Sequence, residues 1–570
     1  MAKLLSVVQP LPPITGSAKY QAALNPVLQR LADRVPANLI LPTSTIQNPP
    51  KNVTSVPREC GLLTAEEIDI TESYDATALA EAIASRKLSA VQVTVAFSKR
   101  AIIAHQLTAC LSEWFMDEAV ARAKELDDHL ASTGRTVGPL HGVPISVKAH
   151  LAMAGHWSIR GFLATIHKDD IDCQIIRIIR EAGAVFFCKT NQPQAIMHLE
   201  STSPLGRVLN PHNVHLSAGG SSGGEAALIA MRGSVLGVGS DIGGSIRGPS
   251  AFCGIYGFKT TSYTLPTKDI VERGASVEFN ILPAAGPMSK SLRDMDLFMS
   301  VVLGAKPWLE DPRLVPLPWS GLSYQGENGQ ASRPLKIGFM MHDGAIMPQP
   351  PVISALEWAR SRLEGTDPDR FLVKSFAPYR ASEAVRNIRL AYWHDGGKAV
   401  RDALALTDEP MLPMTEWILR EAVAAFGNRD KDTELLLSEV YAQRRERDEF
   451  RNKFAEHWNA QDVDLLICPA FVGPACAHET AWYWNYTAFW NYVDYPGAVI
   501  PTPIVTGDKK VKKEYESAEP LSAECKHVRQ LWEAGDFEGA PLNLQVIARR
   551  YHDNDLFRGL AALKDVLDLS

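Results

Sequence analysis

The chain has 570 residues, long enough to bury a large core in one α/β domain or in several smaller ones without disulfide or metal staples. Hydrophobic residues make up 46% and charged residues 22%, which excludes an extended disordered chain, a collagen and a coiled coil. The 58 basic against 65 acidic residues leave a net charge of −7 spread along the chain. No electrostatic footprint for nucleic acid or an anionic membrane follows from that balance, and a small-molecule partner is expected.

The opening segment, 1–8, has one lysine and a few apolar residues but meets Pro10, Pro12 and Pro13 too soon for a signal sequence. No apolar run approaches the roughly 20 residues that span a bilayer. The eight cysteines fall singly, with no C-x-x-C pair among them, and read as buried thiols in a reducing compartment. A cytoplasmic location is the expectation.

Residues 1–60, rich in Pro, Ser, Thr and Asn, read as an N-terminal arm with one helix over 20–31, and 61–570 as a single large domain. Long helical patterns follow over 77–107 and 115–130, where Ala, Val and Leu recur at three and four residues. A strand over 142–148, a helix over 173–180 stopped by Gly183 and a strand over 184–189 come next. Pro, Gly and Ser mark a long connection over 307–334, and 352–459 is mainly helical. Strands over 463–469 and 498–503 return to the core. This alternation predicts an α/β domain whose central sheet is mixed, mostly parallel, with helices on both faces.

The most unusual stretch, 217–257, holds two Gly/Ser clusters flanking a short helical run, 225–231. The first is Gly219-Gly220-Ser221-Ser222-Gly223-Gly224-Glu225 and the second Ser240-Asp241-Ile242-Gly243-Gly244-Ser245-Ile246-Arg247. Residues without a Cβ let successive N–H groups converge on a developing oxyanion, so Gly243-Gly244-Ser245 suits a nucleophile on a tight turn. A plain glycine-rich loop or phosphate cradle is the bland reading. It is weakened because G-x-x-x-x-G-K-[ST] is absent and the spacing Gly237, Gly239, Gly243 has one residue too many for a dinucleotide fingerprint. A serine nucleophile needs a base. Lys148 ends an apolar strand-like segment, where burial would disfavour its ammonium form, although strand-end lysines usually reach solvent.

Three rival readings stand beside this one. Gly219 to Gly224 twice satisfies the G-x-S-x-G elbow of an α/β-hydrolase esterase, but 211–216 reads as loop where such an elbow needs a strand. His212 and His215 could ligate a metal, but neither H-E-x-x-H nor a third ligand accompanies them. A non-catalytic scaffold on the same fold is the third.

The segments 138–148, 219–225 and 240–247, in that order and with Ser221 and Ser245 24 residues apart, resemble those of the amidase signature family. The likeness extends to 185–193, 494–496 and 540–550, and within the family the fungal acetamidase branch is most similar. The resemblance implies a Ser-cis-Ser-Lys triad in which Ser245 attacks, Ser221 relays its proton and Lys148 is the base. It also implies an oxyanion hole from the N–H groups of Ile242, Gly243, Gly244 and Ser245, with Asp241 and Arg247 bracing the turn and Ser222 in support. The expected activity is hydrolysis of a linear carboxylic amide to carboxylate and ammonia or amine through an acyl-enzyme, with no cofactor and no metal; whether the chain forms a homodimer is left open. Holding an ordinary lysine neutral at pH 7 costs about 4.6 kcal/mol, which burial must supply. The family usually follows its lysine with aspartate, where this chain has Ala149-His150; His150 reads first as a structural histidine. Eight aromatic residues within 482–495 are dense enough for some to line a pocket, with core packing as the alternative.

Overall fold

Eleven short apolar runs become strands: β1 Leu111–Trp114, β2 Pro144–Lys148, β3 Val185–Thr190, β4 Leu236–Asp241, β5 Tyr256–Lys259, β6 Ala284–Ser289, β7 Leu335–Phe339, β8 Phe371–Ser375, β9 Leu465–Pro469, β10 Gly497–Val505 and β11 Pro541–Ile547. They are seen in a computed structural model that describes residues 4–270, 280–325, 333–425, 427, 434–507, 515 and 517–570. The first three residues of the expected arm, 326–332 of the expected long connection, and 426 and 428–433 of the expected helical region lie outside the described residues.

All eleven strands join one sheet in the order β1-β3-β2-β4-β6-β5-β10-β11-β9-β7-β8. The sheet is mixed, as expected, but not mostly parallel: four of its ten pairings are parallel and six antiparallel. The parallel pairs cluster at β3-β2-β4 and at β9-β7-β8. Side chains alternate between two cores. Leu465 and Ile467 of β9 enter one apolar cluster, and Leu466 and Cys468 enter the other. Helical segments fill both clusters, so helices cover both faces of the sheet.

The expected arm helix spans Ala18–Asp33 (α1), and Leu31, Leu39, Leu41, Ile46 and Val53 reach the main core. The helical pattern over 77–107 is broken in two, Ala76–Ala84 (α2) and Ala90–Thr108 (α3). Arg86 takes a left-handed conformation, and Ser89 opens α3 with a reciprocal capping box to Gln92. Met116–Thr133 (α4) and Gln174–Glu181 (α5) fall close to the expected helices. Residues 211–216, expected to be loop, instead run into the strand Asn213–Ser217, which pairs with Leu209–Asn210 outside the large sheet. All eight cysteines are unpaired and seven are buried. Among the described residues, no helix is long and apolar enough to cross a membrane.

Candidate active site

β2 and β4 run parallel side by side, Val147 opposite Val238, so their carboxyl ends open at the same place. That edge is where parallel α/β sheets put their chemistry. β2 ends on Lys148 and β4 on Asp241, and the two Gly/Ser loops converge there. Ser221 and Ser222 precede the helix Gly223–Ala230 (α6), and Ser245 lies on the turn between β4 and the helix Arg247–Cys253 (α7).

The Lys148 Nζ is 2.7 Å from Ser221 Oγ and 3.2 Å from Ser240 Oγ. The lysine is fully buried, and desolvation pulls its pKa down to about 7 against the opposing fields of Asp241 and Glu225. The strand-end lysine that usually reaches solvent here does not. The Gly220–Ser221 peptide is cis. The Ser222 N–H donates to the Ser245 carbonyl at 3.0 Å and ties the two serine loops together, while Ser222 Oγ donates to the Ser240 carbonyl at 3.4 Å. Ser245 is 7% exposed, almost closed off but reachable.

Asp241 and Arg247 are both completely buried and form a salt bridge at 3.1 Å. The carboxylate also accepts the N–H groups of Gly244, Ile246 and Arg247 and the Asn491 side chain, drawing the turn around itself. Burial alone would raise its pKa, but the Arg247 charge and hydrogen bonds override that and hold it well below the usual carboxylate range. The Arg247 guanidinium reaches on to the Thr487 carbonyl, Asn491 and Gln545. Because the Gly244 N–H is engaged by Asp241, this member of the four expected oxyanion donors points to the carboxylate. Gly244 has φ +128°, and a Cβ there would strike Thr487; a Cβ on Gly243 would come within 2.7 Å of Trp484 and 2.9 Å of the Tyr392 hydroxyl. Only glycines fit this turn.

Sequence reasoning gave no signal for several residues that meet the site from distant segments. Tyr392, at the end of the helix Ala381–Tyr392 (α8), donates its hydroxyl to the Ile242 carbonyl and stacks on Trp484. Thr487 donates to the Gly243 carbonyl at 2.8 Å. Trp484, Tyr486, Trp490 and Tyr492 are all buried in the second core, and of these Trp484 also lies against the Gly243 turn. Behind Lys148, the buried Glu225 accepts from Ser146 and Thr190, and desolvation pushes its pKa up to about 7. His212 faces the Cys253 carbonyl and His215 is exposed on the small hairpin.

The comparisons with known proteins show the class: a hydrolase that acts on carbon–nitrogen bonds other than peptide bonds. The chain belongs to the Amidase family, whose pattern matches residues 92–557. It is 41% identical over 531 residues to a Schizosaccharomyces pombe protein bearing an amidase name, covering 93% of this chain and 95% of that one. It is 32% identical over 550 residues to the acetamidase of Emericella nidulans, covering 94% and 96%. The solved structure of a fatty acid amide hydrolase superposes with a TM-score of 0.85 at 31% identity, over 98% of each chain.

Proposed function

We propose that the protein hydrolyses a small linear carboxylic amide to carboxylate and ammonia or amine through an acyl-enzyme on Ser245. The single observation that carries this reading is the 2.7 Å contact between Ser221 Oγ and a buried Lys148 whose pKa is pulled down to about 7. At neutral pH such an amine is free to take a proton.

Ser245 Oγ attacks the amide carbonyl carbon, and its proton passes through Ser221 Oγ to Lys148 Nζ. The oxyanion is received by the N–H groups of Ile242, Gly243 and Ser245. When the tetrahedral adduct collapses, the carbon–nitrogen bond breaks and the proton returns through Ser221 to the leaving nitrogen. Water then attacks the ester, delivers a proton along the same path, and the carbon–oxygen bond to Ser245 breaks with Ser245 taking its proton back. No electron is gained or lost and no metal or organic cofactor is invoked. Asp241 and Arg247 brace the turn, and Ser222 holds the two loops in register. The amidase and acetamidase relatives support a small-molecule amide as substrate. The single domain of this activity is read as 61–570, with the arm before it.

Labelling with a fluorophosphonate followed by peptide mapping tests the assignment. The adduct is expected on Ser245; an adduct on Ser221 or Ser222 would move the nucleophile to the esterase elbow and overturn it. No adduct, together with no turnover of amides, would leave a scaffold.

A further inference from the structure

We propose that His150 and Gln192 are positioning residues that set the direction of hydrogen bonding at the Lys148 amine and so keep its lone pair open to Ser221. The proposal rests on the base role given to Lys148 above.

Ala149, where the family pattern has aspartate, is fully buried, with its N–H on the Thr190 carbonyl and its own carbonyl accepting from Ile159. Polar support for the lysine comes from the next residue instead. The direction of that support is forced, bond by bond, from its far end. The Ile159 carbonyl can only accept, so the Gln192 amide nitrogen donates to it, at 2.7 Å. The other Gln192 amide atom, Oε1, can only accept, and it lies 2.8 Å from His150 Nδ1. The imidazole proton therefore sits on Nδ1.

His150 is buried, and desolvation drives its pKa down to about 3, so the ring is neutral and Nε2 is bare. Facing it at 3.4 Å is Ser240 Oγ, which must donate. With its one proton turned to His150, Ser240 offers Lys148 only lone pairs, at 3.2 Å. A neutral lysine has two N–H groups and one lone pair. One N–H goes to Ser240, Ser240 cannot compete for the lone pair, and Ser221 at 2.7 Å meets it.

The charged surroundings do not impose this direction by themselves. Asp241 and Glu225 favour the Lys148 cation, and Lys189 is balanced by Asp169 at 3.6 Å. What the chain of four hydrogen bonds adds is geometric: it removes the one hydroxyl that could block the base.

The test is steady-state kinetics over pH on the full chain for His150→Phe, Gln192→Leu, Ser240→Ala, the His150→Phe/Ser240→Ala double variant and Lys148→Ala. Losing the imidazole acceptor frees the Ser240 hydroxyl to donate to the lysine lone pair. His150→Phe should therefore lower kcat about tenfold or more with KM within about twofold, since the loss falls on proton transfer. A hydrogen bond donated to the neutral amine also favours that form, so the acid limb of kcat/KM should move to lower pH while the plateau falls. Removing the blocking hydroxyl should undo this, and the double variant should be as active as Ser240→Ala alone and more active than His150→Phe.

Wild-type kcat in both His150→Phe and Gln192→Leu, or a double variant that loses the product of the two single effects, would overturn the proposal. If His150→Phe does not fold, as read by thermal melting, Gln192→Leu alone and combined with Ser240→Ala decides it in the same way, because it keeps the imidazole and unpins its proton. Lys148→Ala separates the two readings. Retained turnover there removes the base role itself, whereas an inactive Lys148→Ala beside fully active His150 and Gln192 variants removes only the positioning role.

Discussion

Tyr392 donates its hydroxyl to the carbonyl of Ile242 from a helix 150 residues further along the chain. The carbonyl belongs to the same peptide group as the Gly243 N–H. A hydrogen bond accepted at one end of a peptide polarises the other, so this contact strengthens a proposed oxyanion donor while holding the turn in place. Losing a whole oxyanion donor costs about 10² to 10³ in kcat, and weakening one should cost less. Tyr392→Phe is expected to lower kcat about three- to tenfold with little change in KM, because the effect belongs to the transition state. Stopped-flow or steady-state assays on a saturating amide would read it; an unchanged kcat with raised KM would place Tyr392 in substrate binding instead.

Glu225 gives a prediction about pH. In the proposed mechanism Lys148 acts as the free amine, so activity should fall as pH drops through its pKa of about 7. The Glu225 carboxylate favours the lysine cation and therefore raises that pKa. Glu225→Gln removes the charge but keeps an acceptor for Ser146 or Thr190; because Glu225 is itself half-protonated near pH 7, the acid limb of kcat/KM should move to lower pH only modestly. A limb that stays in place would mean that Glu225 serves only the packing of β2, β3 and α6.

How far the sequence carries is visible in these residues. Lys148, Ser221 and Ser245 sit in short contiguous motifs, and the structure places two of them in direct contact. Their supports Tyr392, Thr487 and Asn491 arrive through tertiary packing, and no local pattern announces them, whereas Gln192 lies in the segment 185–193 that shares the family likeness. Asp241 and Arg247 were legible as a pair because they flank one turn. Strand direction was not, since a strand buried on both faces reads as the same apolar run whichever way its neighbour points. The break between α2 and α3 did leave a signal, the Ser89-x-x-Gln92 capping box, hidden inside a long apolar periodicity. His150 looked like an ordinary core histidine because its meaning lies in what Gln192 and Ser240 do on either side of it.

The Asp241–Arg247 pair yields a prediction in which the double variant is more stable than one of its parents. Both side chains are wholly buried, so each charge is tolerable only beside the other. Asp241→Ala strands the guanidinium and frees the N–H groups of Gly244, Ile246 and Arg247. A stranded buried charge costs about 3 to 5 kcal/mol. Arg247→Met strands the carboxylate, but that group keeps the three N–H donors and Asn491, so its penalty should be smaller. In Asp241→Ala/Arg247→Met no charge is left unpaired, and urea unfolding should find it more stable than Asp241→Ala alone. Activity should not return with stability, because nothing then gathers the turn that carries Ser245. Recovery of turnover in the double variant would show that the pair serves folding only, and a stability loss equal to the sum of the two single losses would show that the charges are not coupled.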